Sequence, residues 1–197
     1  MTMTIGLYVF PDMELLDYAG PYQVFATASR YATYEDEKAG DMFQLVTIGS
    51  TLDPVKARAG ATLIPDLTID DDLDLDALII PGGIVGVEQQ IHNAATVAWI
   101  IRQSAKTPIV ASVCTGAFLL AQTGLLDGLK TTTHATFAVD LRRRFPTIDV
   151  VDSRRWVDNG QFVSSAGLSA GIDMALHLVE RMASRELSVR AAQILEL

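Results

Sequence analysis

Pro108-Ile109-Val110-Ala111-Ser112-Val113-Cys114-Thr115-Gly116-Ala117-Phe118-Leu119-Leu120-Ala121-Gln122 is the stretch that decides the fold. Up to Val113 the residues are apolar or small without alternation, the pattern of a strand covered on both faces. From Ala117 onward they are mostly helix formers. A buried parallel strand therefore ends at Cys114, and a helix starts one or two residues later. That junction aims first-turn amide N–H groups at the sulfur and is expected to favour its thiolate form. Strand, cysteine and helix in immediate succession mark Cys114 as a reactive site rather than core filler.

Upstream, residues 5–10 form a short apolar run closed by Pro11-Asp12, a buried first strand. Residues 13–20 read as a turn or half-helix, and Pro21 suits the first position of a helix reaching to about residue 34. A polar loop at 35–41, a strand at 43–48 and a small hairpin at 55–57 and 62–64 around Gly60 follow. Residues 76–80 make a third core strand ending at Pro81-Gly82-Gly83. Helical patterns at 85–91 and 94–105 then lead into the Cys114 strand.

Downstream, Gly124 and Gly128 bracket the helix exit, 130–133 is extended and 137–144 is helical. Strands fall at 149–151 and 156–165, the latter split by Asn159-Gly160, a type I′ hairpin signal. Helices at 169–184 and 186–196 complete the pattern. Strands alternating with helices specify an α/β fold, a mostly parallel sheet with helices on both faces. No repeat, low-complexity stretch or linker divides the 197 residues, so a single domain over 1–197 is expected. Ligands of such sheets bind at the carboxyl ends of the strands, near a topological switch point. The loop after the first strand (Glu14, Asp17), the Gly82-Gly83 turn and Cys114 all fall on that edge.

Composition narrows the function classes. A hydrophobic share of 49% leaves ample material for a core, and a formal charge of -9 argues against a nucleic-acid partner. The dense basic patches, Arg142-Arg143-Arg144 and Arg154-Arg155, have carboxylates nearby and read as solvated charge. One cysteine cannot form an internal disulfide, which fits a reducing cytoplasm. The N-terminus lacks a basic n-region, and no apolar run reaches membrane-spanning length. A cytoplasmic protein without membrane contact is the expectation.

A reactive cysteine needs a group to take or share its proton and donors for developing negative charge. Asp17 and Glu14 are the acidic candidates. The amides around Gly83-Ile84 and Thr115 are the candidate donors, and glycine at 82 and 83 lets the main chain approach a ligand closely. His134, at a strand end, is a further candidate facing the same edge.

A competing motif is Gly167-Leu168-Ser169-Ala170-Gly171, which matches the G-x-S-x-G elbow of serine hydrolases. Its only downstream partners are Asp173 and His177, and His177 lies about 12 Å along the same helix. These cannot close on one proton path, so Ser169 reads as an N-cap between two conformationally needed glycines. His92, His134 and His177 offer no metal-ligand spacing. The acidic run from Asp70 to Asp76 lacks the glycine and glutamate of a calcium loop. Gly82 to Gly86 is not G-x-G-x-x-G, and no Walker lysine is present. No metal or cofactor is expected.

Together these residues resemble a known family. Phe10-Pro11-Asp12, Leu16-Asp17, Gly20-Pro21, Ile80-Pro81-Gly82-Gly83, Ser112-Val113-Cys114-Thr115-Gly116-Ala117, Thr132-Thr133-His134 and Ser169-Ala170-Gly171-Ile172-Asp173 match, in order, the blocks of the ThiJ/PfpI superfamily. The likeness spans essentially the whole chain. It looks most like the branch shared by isocyanide hydratase and the ligand domains of AraC-type regulators. The resemblance implies a flavodoxin-like, doubly wound sheet within the class I glutamine amidotransferase-like fold, a homodimer, and Cys114 as the nucleophile of an elbow.

In the hydratase branch the equivalent of Asp17 is the acidic partner, and the equivalent of Thr115 sits beside the nucleophile. The chaperone and deglycase branch uses a glutamate roughly where Glu14 falls, so both acids stay open. The peptidase branch carries histidine where this chain has Thr115. The implied activity is a cysteine-dependent hydro-lyase acting on a small-molecule isocyanide. Alternatives are a redox-sensing or ligand-binding protein without turnover, and glyoxalase or deglycase-type chemistry.

Overall fold

Parallel strands in the middle of a sheet are screened from water on both sides, so their side chains are apolar wherever they point. The computed structural model, which describes residues 2–35 and 41–197, follows this rule. Its first half runs β1 (Met3–Tyr8), α1 (Leu15–Glu35), β2 (Phe43–Gly49), β3 (Val55–Lys56), β4 (Thr62–Leu63), β5 (Leu67–Thr68) and β6 (Ala77–Ile80). Next come α2 (Ile84–Ile91), α3 (Ala94–Ser104), β7 (Ile109–Val113), α4 (Gly116–Gln122) and β8 (Lys130–Thr131). A 3-10 turn (Ala135–Phe137), α5 (Ala138–Arg144), β9 (Asp149–Val150), β10 (Trp156–Asp158), β11 (Phe162–Ser165), α6 (Ser169–Met182) and α7 (Arg185–Ile194) complete it. Every residue of β6 and β7 is buried.

The main sheet has the order β10-β11-β7-β6-β1-β2-β5. All its pairings are parallel except the β10–β11 edge, so the fold is a mostly parallel, flavodoxin-like α/β sheet with helices on both faces. Helices α1, α6 and α7 pack together, as do α2, α3 and α4. From β1 the chain passes to β2 on one side and later to β6 on the other. The crevice at the carboxyl ends of β1 and β6 is therefore the switch point, with the end of β7 next to it. Among the described residues no helix is long and apolar enough to cross a membrane.

Two local expectations are corrected, and one strand is added. Pro21 does not open a helix; it lies inside α1, which starts six residues earlier. An interior proline costs about 3 kcal/mol, and tertiary contacts offset it. The Asp17 carboxylate ties the first turn to Gly82 and Leu168, and Gly20 lets Ile172 of α6 approach within 2.9 Å of where a Cβ would stand.

The β10–β11 hairpin exists, but not with Asn159-Gly160 at its centre. Asn159 N–H donates to Phe162 O (3.0 Å), which makes Gly160-Gln161 the two-residue loop. Gly160 takes the positive φ of 86°, the habit of a type II′ turn rather than I′. Asn159 is held at the strand end, its Nδ2 donating to Lys130 O. The added strand is β5, which extends the sheet beside β2 but is too short to show any periodicity. Most of the loop read over 35–41 lies outside the described residues.

Candidate active site

The elbow is formed by a backbone that only a tight strand-to-helix junction requires. Cys114 has φ 57°, in the left-handed region that costs an L-residue about 1–3 kcal/mol. It is held there from both sides: its N–H donates to Ser165 O (3.1 Å), and its carbonyl accepts the Thr133 hydroxyl (2.7 Å). Helix α4 can begin at once because Gly116 has no side chain. A Cβ there would stand 2.4 Å from Ile80 O. The result is a cysteine only 7% exposed, at the bottom of the switch-point crevice.

Asp17 is fully buried beside it. Its Oδ2 accepts the Gly82 N–H (3.1 Å) and its Oδ1 the Leu168 N–H (3.2 Å), and the Cys114 thiol lies near enough for each group to shift the other's proton affinity. Burial raises Asp17 to about 6, opposed by these hydrogen bonds and reinforced by the nearby charge of Glu14. Burial and then the Asp17 carboxylate push the Cys114 thiol up to about 12. The Thr115 amide and hydroxyl favour the thiolate, as the helix start implied, but they are outweighed. At neutral pH the pair therefore rests as a thiol beside a carboxylate, opposite in direction to the expected thiolate. Low dielectric, which no sequence pattern displays, is the cause.

The other sequence-derived residues divide into those drawn into this pair and those beside it. Thr115 Oγ1 accepts the Gly83 N–H (2.9 Å), so the amides of Gly82 and Gly83 are both engaged in building the site. The Ile84 N–H is one of the first-turn amides of α2 that have no hydrogen-bond partner among the described residues. Glu14 anchors the loop through its N–H to Gly82 O (2.8 Å). Its carboxylate turns to Arg58 at 3.8 Å, while Asp17 takes the sulfur. His134 is a structural neighbour: its Nδ1 accepts the Thr136 N–H (3.3 Å), and its ring lies against Gly167. Among the described residues no hydrogen bond joins it to Cys114 or Asp17.

Sequence reasoning missed Leu168. Its φ of 54° turns its amide toward Asp17, and a backbone donor leaves no residue-type signal. The one hint was the glycine-flanked motif around it, read for Ser169. Ser169 is the first residue of α6 and not its N-cap, a position Leu168 holds. Gly167 and Gly171 serve close approach, to His134 and Val113, and neither has positive φ. Ser169 Oγ and the Asp173 carboxylate both meet Arg155, whereas His177 bonds Asp158 (2.6 Å) and stacks on Trp156. Among the described residues that serine has no base.

Comparison with known proteins gives a consistent neighbourhood. Residues 3–181 match the DJ-1/PfpI family. The chain is 34% identical over 197 residues to the isonitrile hydratase of Pseudomonas putida, covering all of this chain and 78% of that protein. It is 27% identical over 191 residues to the HTH-type transcriptional regulator GbdR of Pseudomonas aeruginosa, of which it spans half the length. Among solved structures, a ThiJ/PfpI family protein from Pseudomonas syringae superposes with TM-score 0.85 at 27% identity, over all of this chain and 75% of that one. Drosophila melanogaster DJ-1beta superposes with TM-score 0.83 at 18% identity, over 100% and 99% of the two chains, a likeness of fold alone.

Proposed function

Because this chain belongs to the DJ-1/PfpI family, we propose that its Cys114–Asp17 pair hydrates an isocyanide to the N-substituted formamide. The observation that carries the reading is a cysteine at a strained elbow beside a fully buried carboxylate that two backbone amides hold in place. The full-length similarity to an isonitrile hydratase supplies the substrate class.

In the first step the Cys114 sulfur bonds to the terminal isocyano carbon while Asp17 accepts the thiol proton. Asp17 then delivers that proton to the same carbon, giving a thioimidate, S–CH=N–R. Water next adds across the C=N bond, its oxygen to carbon and one proton to nitrogen. The carbon–sulfur bond breaks, the departing sulfur recovers a proton by way of Asp17, and the formamide leaves. Atoms balance as isocyanide plus water, with no redox change. The Thr115 N–H and the free Ile84 N–H are the donors at hand for charge developing on sulfur and substrate.

Ligand binding without turnover is the second reading, favoured by the likeness to a transcriptional regulator. Purified protein incubated with cyclohexyl isocyanide is expected to produce N-cyclohexylformamide, followed by proton NMR. Saturable binding of isocyanides with no formamide above the buffer rate would decide for the second reading.

A further inference from the structure

A cavity of about 90 Å³ opens beside the residue that follows the cysteine. Its walls are Thr115, Ile84, Val87, Phe118 and Phe137, and Arg144 stands at its far end. Thr115 belongs to both places, since it directly follows Cys114 in the chain and its side chain holds the Gly83 amide. Val87 and Phe118 are buried, Phe137 is half-buried at the rim, and Ile84 borders the same opening.

The charges of the far end are already committed. Arg144 donates from Nη1 to Glu88 Oε2 (2.8 Å) and from Nη2 to Glu88 Oε1 (3.4 Å), with Asp140 at 4.0 Å. Its guanidinium also lies 5.3 Å from the centre of the Phe118 ring. Asp140 also receives Arg143 (2.6 Å), so two carboxylates and two guanidiniums balance at this end, and no cation is left free to receive an anionic ligand. The remaining wall is aromatic and aliphatic. A dry apolar cavity of about 150 Å³ encloses benzene; this one is smaller but open on one side, so it takes a compact group whole or a single ring seated partly in the opening.

We propose that this cavity holds the organic substituent of the substrate and restricts it to a compact neutral hydrocarbon, from branched C4 alkyl to a single ring. The inference rests on the hydratase reading for its chemistry, but its geometry stands separately. With the isocyano carbon at the sulfur, the substituent passes Thr115 and enters between Phe118 and Phe137. A carboxylate-bearing substituent would find no unpaired cation there, and a fused bicyclic ring would exceed the space.

Two readouts test it. Wild-type kcat/KM is expected to be at least about tenfold higher for tert-butyl and cyclohexyl isocyanide than for isocyanoacetate or 2-naphthyl isocyanide, a gap of roughly 1.4 kcal/mol. Phe137→Ala should raise kcat/KM for the naphthyl compound and raise KM for the cyclohexyl one, leaving the pH profile of kcat unchanged. Calorimetric binding of N-cyclohexylformamide provides a readout without turnover, expected to weaken about fivefold or more in Phe137→Ala.

Ile84→Trp, a change at an exposed rim position, serves if the first variant does not fold, and should close the opening to every ring-bearing ligand. Equal binding in wild type and variant, no binding at all, or unchanged selectivity would overturn the cavity assignment. Binding that responds as expected with no turnover of any isocyanide would instead overturn the hydratase reading alone.

Discussion

Cys114→Ser and Asp17→Asn are each expected to lower kcat/KM for isocyanide hydration by at least about 10³-fold, with the fold retained by circular dichroism. Serine occupies nearly the same volume, but its hydroxyl is a far weaker acid than a thiol, and a carboxylate held at about 6 is too weak a base to activate it. Asparagine removes the base and keeps the shape. It also disturbs the pocket, because its NH₂ must face either the Gly82 or the Leu168 N–H, both of which donate to Asp17 now. That mismatch costs about 1–3 kcal/mol, offset in part by removal of a buried charge. Glu14→Gln should have a much smaller effect, since Glu14 meets Arg58 rather than the sulfur. Asp17→Asn retaining a tenth or more of wild-type activity would rule out the carboxylate as the proton carrier.

Gly83→Ala should be the most damaging single-methyl addition at the site. Gly83 has φ 146° and ψ 115°, a conformation foreign to L-residues. A Cβ there would stand 2.6 Å from Asp12 O and 2.7 Å from Met13 Cα, both backbone atoms of the loop that leads to Asp17. Strain and clash together are expected to cost about 3–5 kcal/mol, a fall in Tm of roughly 10 °C for a chain of this size. Gly60→Ala is the control. Its φ is 93° with nothing within 4 Å of the added carbon, so it carries only the conformational penalty of about 1–2 kcal/mol. Equal destabilisation of the two variants would show that the Gly83 contacts are not tight.

The order of strands and helices was legible because it rests on local patterns. Apolar runs without alternation mark β1, β6 and β7, and the junction at Cys114 is compressed into two residues. Local rules failed where tertiary bonds outrank them. Pro21 carries the signature of a helix start, yet α1 begins earlier because Asp17 is anchored by groups 65 and 151 residues away in the chain.

The same holds at the site. Glu14 and Asp17 are three residues apart, and only the fold decides which of them turns inward to the sulfur. The expected thiolate failed because helix-start donors are visible in a sequence and a low dielectric is not. Leu168 left no trace, since what it contributes is an amide at an unusual φ.

The pH dependence of kcat/KM for cyclohexyl isocyanide, measured from pH 5 to 9 on wild type and Asp17→Asn, tests the Cys114–Asp17 pair most directly. Below about 6 the Asp17 carboxyl keeps its proton and cannot take that of the thiol. Above it the base is ionised, while Cys114, raised to about 12, stays a thiol throughout. Wild-type activity should therefore rise with unit slope to a plateau above about 6, and the rising limb should vanish in Asp17→Asn. A wild-type profile that climbs only through the range of a free thiol, near 8.5, would contradict the account, because attack would then begin from a pre-formed thiolate.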